Sequence, residues 1–467
     1  MEAVRHWSVR HARGLKRIYD ACADWAPLLK RAVHRLGPAR TERLLLPAER
    51  AAKRFLFDCR MCGQCVLSHT GMACPTNCAK AMRNGPCGGV RADGTCEVDP
   101  AMRCVWVEAA AGRKRIAGGG MAASAALAPI DHRHGGRSTW VPLMTGRTVP
   151  TAVATEAPPP RERPVHRFEQ ACRSGRFVVT VEVAPPDSAD PAALIERAQH
   201  FRGLVDAINI TDGAGGNCHM SSMAAAAVLA ANGQNPVCQV ACRDRNRIAM
   251  QGDILGAAAL GVHNILCLTG DHVSRGDQPE AKPVFDLDAV SLLRIARDMR
   301  DRGVFASGRA LNAAPNLFLG ATANPFVPPH RDRIANLERK VEAGAQFIQT
   351  QFCFDLDRLA DFMRAVRERE LHKRCTLIVG VGTLSTAKAL RWMAEHVPGI
   401  HVPAAVIDRV ARAGDQKAEG KRILIETIRA LGEMEGVAGV HLMGHRNENV
   451  LADAIVESGL RTGMAAA

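Results

Sequence analysis

Residues 205–241 read VDAINITDGAGGNCHMSSMAAAAVLAANGQNPVCQVA. Val205–Thr211 and Val237–Ala241 are short apolar runs of strand character, and the alanine-rich Ser222–Ala231 between them has helical character. Strand, helix and strand in so few residues make one crossover unit, which places the two strands parallel. The same alternation runs outward in both directions. Further strands are expected at Phe177–Val183, Asn264–Thr269, Leu317–Ala321, Phe347–Phe352, Thr376–Val381 and Val440–Met443, and further helices at Pro191–Phe201, Leu287–Arg302, Ile334–Ala343 and Leu356–Arg369. Eight such units, with strands apolar enough to be covered by helices, predict an α/β fold: a (β/α)8 TIM barrel over residues 166–467. An open doubly wound sheet is the alternative, but no G-x-G-x-x-G follows any of these strands.

Upstream of the barrel the composition changes twice. Eight of the 16 cysteines lie between Cys59 and Cys104, as Cys59, Cys62, Cys65, Cys74, Cys78, Cys87, Cys96 and Cys104. Closely spaced thiolates beside turn-forming Gly and Pro residues, as in Asn84-Gly85-Pro86-Cys87-Gly88-Gly89, fit a metal module at 58–112. Eight sulfurs can fill two four-sulfur sites. The C-x2-C-x2-C opening leans towards a [4Fe-4S] cluster, and zinc is the other candidate. Residues 113–165, with Gly118-Gly119-Gly120, Gly135-Gly136 and Pro158-Pro159-Pro160, are expected to form a flexible linker.

Of the 467 residues, 61 are Lys or Arg and 47 Asp or Glu, a net of +14. The excess is concentrated: residues 1–57 carry +8 and residues 113–165 carry +5, which leaves the barrel close to neutral. Residues 1–57 are expected to form a basic arm of two or three short helices, broken or started by Pro27, Pro38 and Pro47. The chain has a single Tyr, so stacking platforms for nucleic acid are scarce, and no nucleic-acid partner is expected. No apolar run is long enough for a membrane span and no signal-peptide core opens the chain, so a soluble cytoplasmic protein is expected. An acidic electron-transfer protein is a possible partner for the arm. Oligomeric state is not readable.

Barrel enzymes place their chemistry at the C-terminal ends of the strands. Here those ends are polar: Glu182 in strand one, Asn209, Thr211 and Asp212 in strand two, Gln239 and Arg243 in and after strand three, Thr269-Gly270-Asp271 after strand four, Asn324 after strand five, Thr350-Gln351 in strand six, and His445-Arg446-Asn447 after strand eight. Taken singly, each is more readily a helix cap or a structural hydrogen-bonder. Seven polar strand ends together read as a site. A carboxylate within an apolar strand has its charged form disfavoured, which suits a general acid and makes Glu182 the first catalytic candidate.

These residues resemble a known family. Glu182-Val-Ala-Pro-Pro, Thr211, Leu-Thr-Gly270-Asp271, Asn336-Leu-Glu-Arg339-Lys340 and Thr350-Gln351-Phe are similar to 5,10-methylenetetrahydrofolate reductase over residues 170–460. The cysteine segments resemble the zinc or iron–sulfur subunit that accompanies some bacterial reductases, here fused to the barrel. The resemblance implies FAD, a nicotinamide nucleotide (NADH or NADPH) and tetrahydrofolate derivatives, with hydride passing between methylene- and methyl-tetrahydrofolate in either direction.

On that resemblance Glu182 would protonate N10, and Asp271 would stabilise the resulting cation and modulate the flavin. Thr211, Gln239, Thr269, Gly270, Asp271, Asn324, Asn336, Arg339 and Lys340 would bind flavin, and Gln351 and Arg446 would bind folate. The chain also departs from the family. Gln239 and Asn324 replace flavin-contacting histidines, Arg333 replaces an acidic residue, and Ala387 replaces an aromatic one. A pterin-dependent methyltransferase and a non-enzymatic adaptor are the rival readings.

Overall fold

The computed structural model describes residues 2–117, 126–146, 161–444 and 447–461. The chain divides into two compact units, Met1–Cys87 with Asp93–Glu156, and Gly88–Ala92 with Ala157–Ala467.

In the second unit eight parallel strands close into a barrel in chain order: β1 (Val178–Val183), β2 (Ala207–Ile210), β3 (Pro236–Ala241), β4 (Asn264–Leu268), β5 (Phe318–Ala323), β6 (Phe347–Phe352), β7 (Thr376–Gly382) and β8 (Gly439–Met443). β8 returns to β1, with Thr180 opposite His441, so the sheet has no free edge. All eight strands and the five expected helices stand within a few residues of their sequence-based positions. The strands are nearly continuous apolar runs buried on both faces, as a helix-wrapped parallel sheet requires.

The N-terminal end of the barrel is closed by aromatic rings. Phe168, on the helix Arg167–Arg173, meets Phe347 at 5.2 Å and Phe318 at 5.5 Å between ring centroids, among Val178, Ala207, Val237 and Ile378 at the feet of their strands. Gly320 is required here, since a Cβ at this position would stand 2.2 Å from the Phe347 ring. This plug excludes water from below and leaves the C-terminal end open to build a site.

In the first unit the arm forms four α-helices, Glu2–Arg10, Ala12–Trp25, Lys30–Leu36 and Pro38–Phe57, rather than two or three. Pro38 occupies the first helical position, as its fixed φ favours, whereas Pro47 lies inside the last helix, which continues through it. The cysteine module is mostly irregular backbone, with one 3-10 turn at Pro75–Asn77. The segment expected to be a linker is structured where it is described. The helix Val105–Ala117 runs into it, Trp140–Thr145 is helical, and Gly136 N–H donates to the Met61 carbonyl at 2.7 Å. Gly118–Gly120 and Pro158–Pro160 lie outside the described residues. No described helix is long and apolar enough to cross a membrane.

Candidate active site

Above the aromatic plug, inward-facing side chains of four strands form a buried polar layer. Asn209 and Gln349 exchange amide hydrogen bonds, 2.6 Å from Asn209 Nδ2 to Gln349 Oε1 and 3.1 Å in return. Gln349 Nε2 also donates to Thr180 Oγ1 at 3.1 Å, and Thr180 Oγ1 lies 2.9 Å from His441 Nδ1. All four side chains are nearly inaccessible. Gln349 Nε2 also lies 3.4 Å from His441 Nδ1, so the imidazole is held at this nitrogen by both the hydroxyl and the amide.

One layer higher, where side chains two residues further along face the same way, Glu182 begins the open end. Its Oε2 accepts from Gln239 Nε2 at 3.2 Å and lies 3.9 Å from His441 Nε2. The strand is apolar, as expected, but the carboxylate's own neighbours are an amide and an imidazole. Its side chain is 29% exposed, so it can reach a ligand from the open end while His441 stays sealed beneath it.

The remaining expected residues fall into groups. Thr211, at the end of β2, is buried with an Oγ1 that has no partner among the described residues. Gly270 has φ +88, and a Cβ there would stand 3.0 Å from the Ala241 methyl and 3.3 Å from Arg243 Cβ. Asp271 is turned to the neighbouring loop, where its Oδ2 accepts from Gly215 N–H at 2.9 Å. Glu182 is joined instead to Gln239. Arg243 is buried beneath this loop and donates to the Gly213 carbonyl at 2.9 Å and to Asp244. Burial opposes its charge, but Asp244, Asp212 and Asp271 hold its pKa above the ordinary value.

Thr269 Oγ1 accepts from Ala289 N–H at 3.3 Å. Asn324 Nδ2 donates to the Gly399 carbonyl at 2.7 Å and its Oδ1 accepts from Phe326 N–H, so this amide is committed to the loops. Asn336, Arg339 and Lys340 share one buried face of the helix His330–Glu342, and Lys340 Nζ donates to the Thr322 carbonyl at 2.5 Å. Arg333 is tied to the Val327 and Pro328 carbonyls. Gln351 is half-buried and its Oε1 accepts from Phe352 N–H at 3.1 Å. Arg446 lies outside the described residues, as does His445.

Three residues of the polar layer, Thr180, Gln349 and His441, were not singled out from the sequence. The signal was present as period-two spacing: Thr180 stands two before Glu182, Gln349 two before Gln351, and His441 interrupts an otherwise apolar strand.

The cysteines of the first unit are all free thiols, and they separate into an earlier and a later quartet. Cys59, Cys62, Cys65 and Cys74 line one cavity together with Lys53, Arg83 and Thr139. A hydrogen bond between the Cys59 and Cys74 thiols lowers the pKa of the first and raises that of the second. Met61, at φ +52, aims its N–H at the Cys59 sulfur at 3.3 Å. Cys78, Cys87, Cys96 and Cys104 are mutual electrostatic neighbours, and burial pushes the Cys78 thiol up to about 12. Among the described residues no three Cys, His, Asp or Glu side chains converge at the spacing of a single bound ion. The donor chemistry fits a thiophilic metal, and binding would draw the loops closed around it.

A closed eight-stranded barrel, with an acid, an imidazole and amides stacked towards its C-terminal end, defines the (β/α)8 barrel class. The model of the family described as methylenetetrahydrofolate reductase matches residues 167–459, and the chain belongs to that family. A second family model, methylene-tetrahydrofolate reductase C terminal, matches residues 39–131.

Methylenetetrahydrofolate reductase 2 of Schizosaccharomyces pombe is 26% identical over 264 residues, covering 54% of this chain and 40% of that protein. A probable methylenetetrahydrofolate reductase (NADPH) of Caenorhabditis elegans is 24% identical over 246 residues, covering 51% and 34%. The chain thus spans well under half the length of either relative. Among solved structures, a Clostridium thermocellum protein that binds two copies of 5-methyl-5,6,7,8-tetrahydrofolic acid is 14% identical at a TM-score of 0.42, over 63% of this chain and 98% of that one.

Proposed function

We propose that the barrel interconverts 5,10-methylene- and 5-methyl-tetrahydrofolate, with Glu182 as the group that protonates and deprotonates N10. The observation that carries this reading is the placement of Glu182 at the open end, between the Gln239 amide and the Nε2 edge of a buried His441, in a chain of this family.

Protonation at N10 breaks the bond to the bridging carbon and leaves a 5-iminium cation, which takes hydride to give the methyl group. In the reverse direction Glu182 recovers the proton as the ring closes. The Gln239 amide holds the carboxylate on one side and the His441 imidazole faces it on the other, so the two orient the acid towards the open end, where it exchanges its proton with N10. Asp271, at the rim, would place negative charge near the cation. Gln351 and Arg446 would hold the folate.

The residues present fit a flavin. The partnerless Thr211 hydroxyl offers a buried hydrogen bond, and the tight Gly270 turn permits close approach of backbone. Thr211, Thr269 and Gly270 would hold FAD, together with Asn336, Arg339 and Lys340. A bound FAD would supply reversible hydride transfer, with a nicotinamide nucleotide or a centre in the cysteine module as the electron partner. Gln239 and Asn324, the two residues that replace histidines, would also face the flavin, with Gln239 Nε2 donating to Glu182 and Asn324 Nδ2 to the Gly399 carbonyl.

The cysteine module, in this reading, is an accessory metal domain with two four-cysteine centres. The basic arm beside it suits an acidic electron-transfer partner.

The test is an anaerobic absorbance spectrum before and after 5-methyltetrahydrofolate is added, with metal analysis of the same sample. Bleaching of a flavin band supports the reading. A flavin indifferent to folate, or methyl transfer without flavin reduction, overturns it. Glu182→Gln should abolish folate turnover while nicotinamide still reduces the flavin.

A further inference from the structure

Each cysteine quartet has a buried lysine held beside it by a buried glutamate. Lys53 and Glu49 are 9% and 0% exposed and pair at 2.5 Å, and Lys53 stands in the wall of the cavity lined by Cys59, Cys62, Cys65 and Cys74. Lys80 and Glu97 are 5% and 7% exposed and are also paired. The Cys87 thiol lies 3.9 Å from the same Glu97 oxygen that Lys80 contacts.

Two buried ion pairs, one along the helix Pro38–Phe57 and one in the loops of the module, are weak devices for stability, because desolvating both charges consumes most of their attraction. The pairs acquire a purpose at the quartets. Four thiolates around zinc, or around an oxidised four-iron core, carry roughly two excess negative charges in either case. A centre buried with that charge needs a cation near it.

Glu49 is arranged to hold its lysine still. Its Oε1 also accepts from Thr139 N–H at 3.0 Å and from Thr139 Oγ1 at 2.9 Å, and its Oε2 accepts from Ser138 Oγ at 2.5 Å. The carboxylate is saturated, and Lys53 also donates to Thr139 Oγ1. In the second quartet the arrangement is more direct. Metal binding takes the proton from Cys87 and leaves a thiolate facing the Glu97 carboxylate, a repulsion that the Lys80 ammonium offsets.

We propose that Lys53 and Lys80 are the charge-compensating residues of two separate metal centres, Lys53 for the quartet Cys59, Cys62, Cys65 and Cys74, and Lys80 for the quartet Cys78, Cys87, Cys96 and Cys104. Glu49 and Glu97 position them. The inference rests on the reading of the module as a metal domain, and it adds a partition of the eight sulfurs and a one-to-one assignment of lysine to centre.

The test measures metal release from the full-length protein. Metal analysis of the wild type first distinguishes iron from zinc, and release is then followed with a colorimetric chelator for that metal. Lys53→Met should speed release of about half of the bound metal by tenfold or more, Lys80→Met should speed release of the other half, and the arginine variants should stay near wild type.

Because Lys53→Met leaves Glu49 buried without its partner and could unfold the module, the paired variants K53M/E49Q and K80M/E97Q remove both charges together. If the ion pairs were only structural, the paired variants would restore metal retention and Glu49→Gln alone would be as damaging as Lys53→Met. The proposal expects the reverse: the paired variants still release metal fast, and Glu49→Gln, which keeps the cation, retains it. A metal-loaded wild type whose lysine variants release metal at the wild-type rate overturns the lysine assignment alone. A wild type that binds neither iron nor zinc overturns the metal reading and this inference with it.

Discussion

Thr180 Oγ1 stands 2.9 Å from His441 Nδ1 across the seam where β8 closes onto β1. The contact links barrel closure to the candidate site, because the register that pairs these two residues also turns the Nε2 edge of the ring towards Glu182. A one-residue slip at the seam would send His441 to the helix-covered face and leave Glu182 without its imidazole. The buried amides of Asn209 and Gln349 hold this register from the opposite side of the layer.

If His441 positions Glu182, His441→Asn should lower folate turnover about a hundredfold with little change in KM. It should also shift the pH dependence of kcat, while reduction of the flavin by nicotinamide continues at the wild-type rate. An unchanged pH profile would show that His441 only fills space.

The aromatic plug below the polar layer makes a separate prediction about stability. Phe168 is fully buried against Phe318 and Phe347, and a truncation cannot be refilled from a rigid barrel foot. Phe168→Ala should lower the unfolding free energy by about 3–5 kcal/mol, read from the urea midpoint at constant slope. Gly320→Ala should be comparably harmful although it adds only a methyl group, because that methyl meets the Phe347 ring.

The barrel is legible because each strand is a short apolar run bounded by turn residues, and Glu182 and Thr211 stand out as candidates because strand ends are where such folds place their chemistry. His441 and Gln349 escaped because a single polar residue inside an apolar strand reads as a satisfied core residue. Only the pairing of β1 with β8 shows that they meet Thr180 and Glu182. The arm was under-read for a local reason: Pro47 was taken as a break, yet a proline can be carried within a long helix. Residues 126–146 were assigned to a linker on composition, whereas Ser138 and Thr139 satisfy the buried Glu49, a long-range partnership with no mark in the local sequence.

At the N-terminal end of the barrel the His166 and His263 rings stack 3.5 Å apart, and Asn316 Nδ2 lies 2.6 Å from His166 Nε2. Burial, His263 and Arg163 hold the His166 pKa below the ordinary imidazole value. Burial does the same, as the leading cause, for His330 and His401. A depressed histidine binds fewer protons in the folded than in the unfolded chain, so stability is full above the unfolded value of about 6.5 and falls as pH drops below it. The urea midpoint should therefore decline from pH 7.5 to pH 5.5, and His166→Gln should make that decline shallower. A midpoint that rose on acidification would contradict the sign.

Metal removal should act on one unit and spare the other. The module between Cys59 and Cys104 has little regular structure, yet its Lys80 and Arg83 are 4% and 3% exposed, so a protease reaches them only if the loops open. Stripping a metal bound there would free eight thiols and the lysine beside each quartet, and a segment so poor in helix and strand has little else to keep its loops closed. Limited trypsin digestion of chelator-treated protein should cut after Lys80 and Arg83 and leave the barrel as a resistant fragment, whereas the metal-loaded protein should resist at both positions. The barrel has its own plug and closed sheet, so its thermal midpoint should be the same in both samples. Equal cleavage with and without metal would show that the loops are held by their side-chain packing and not by the metal.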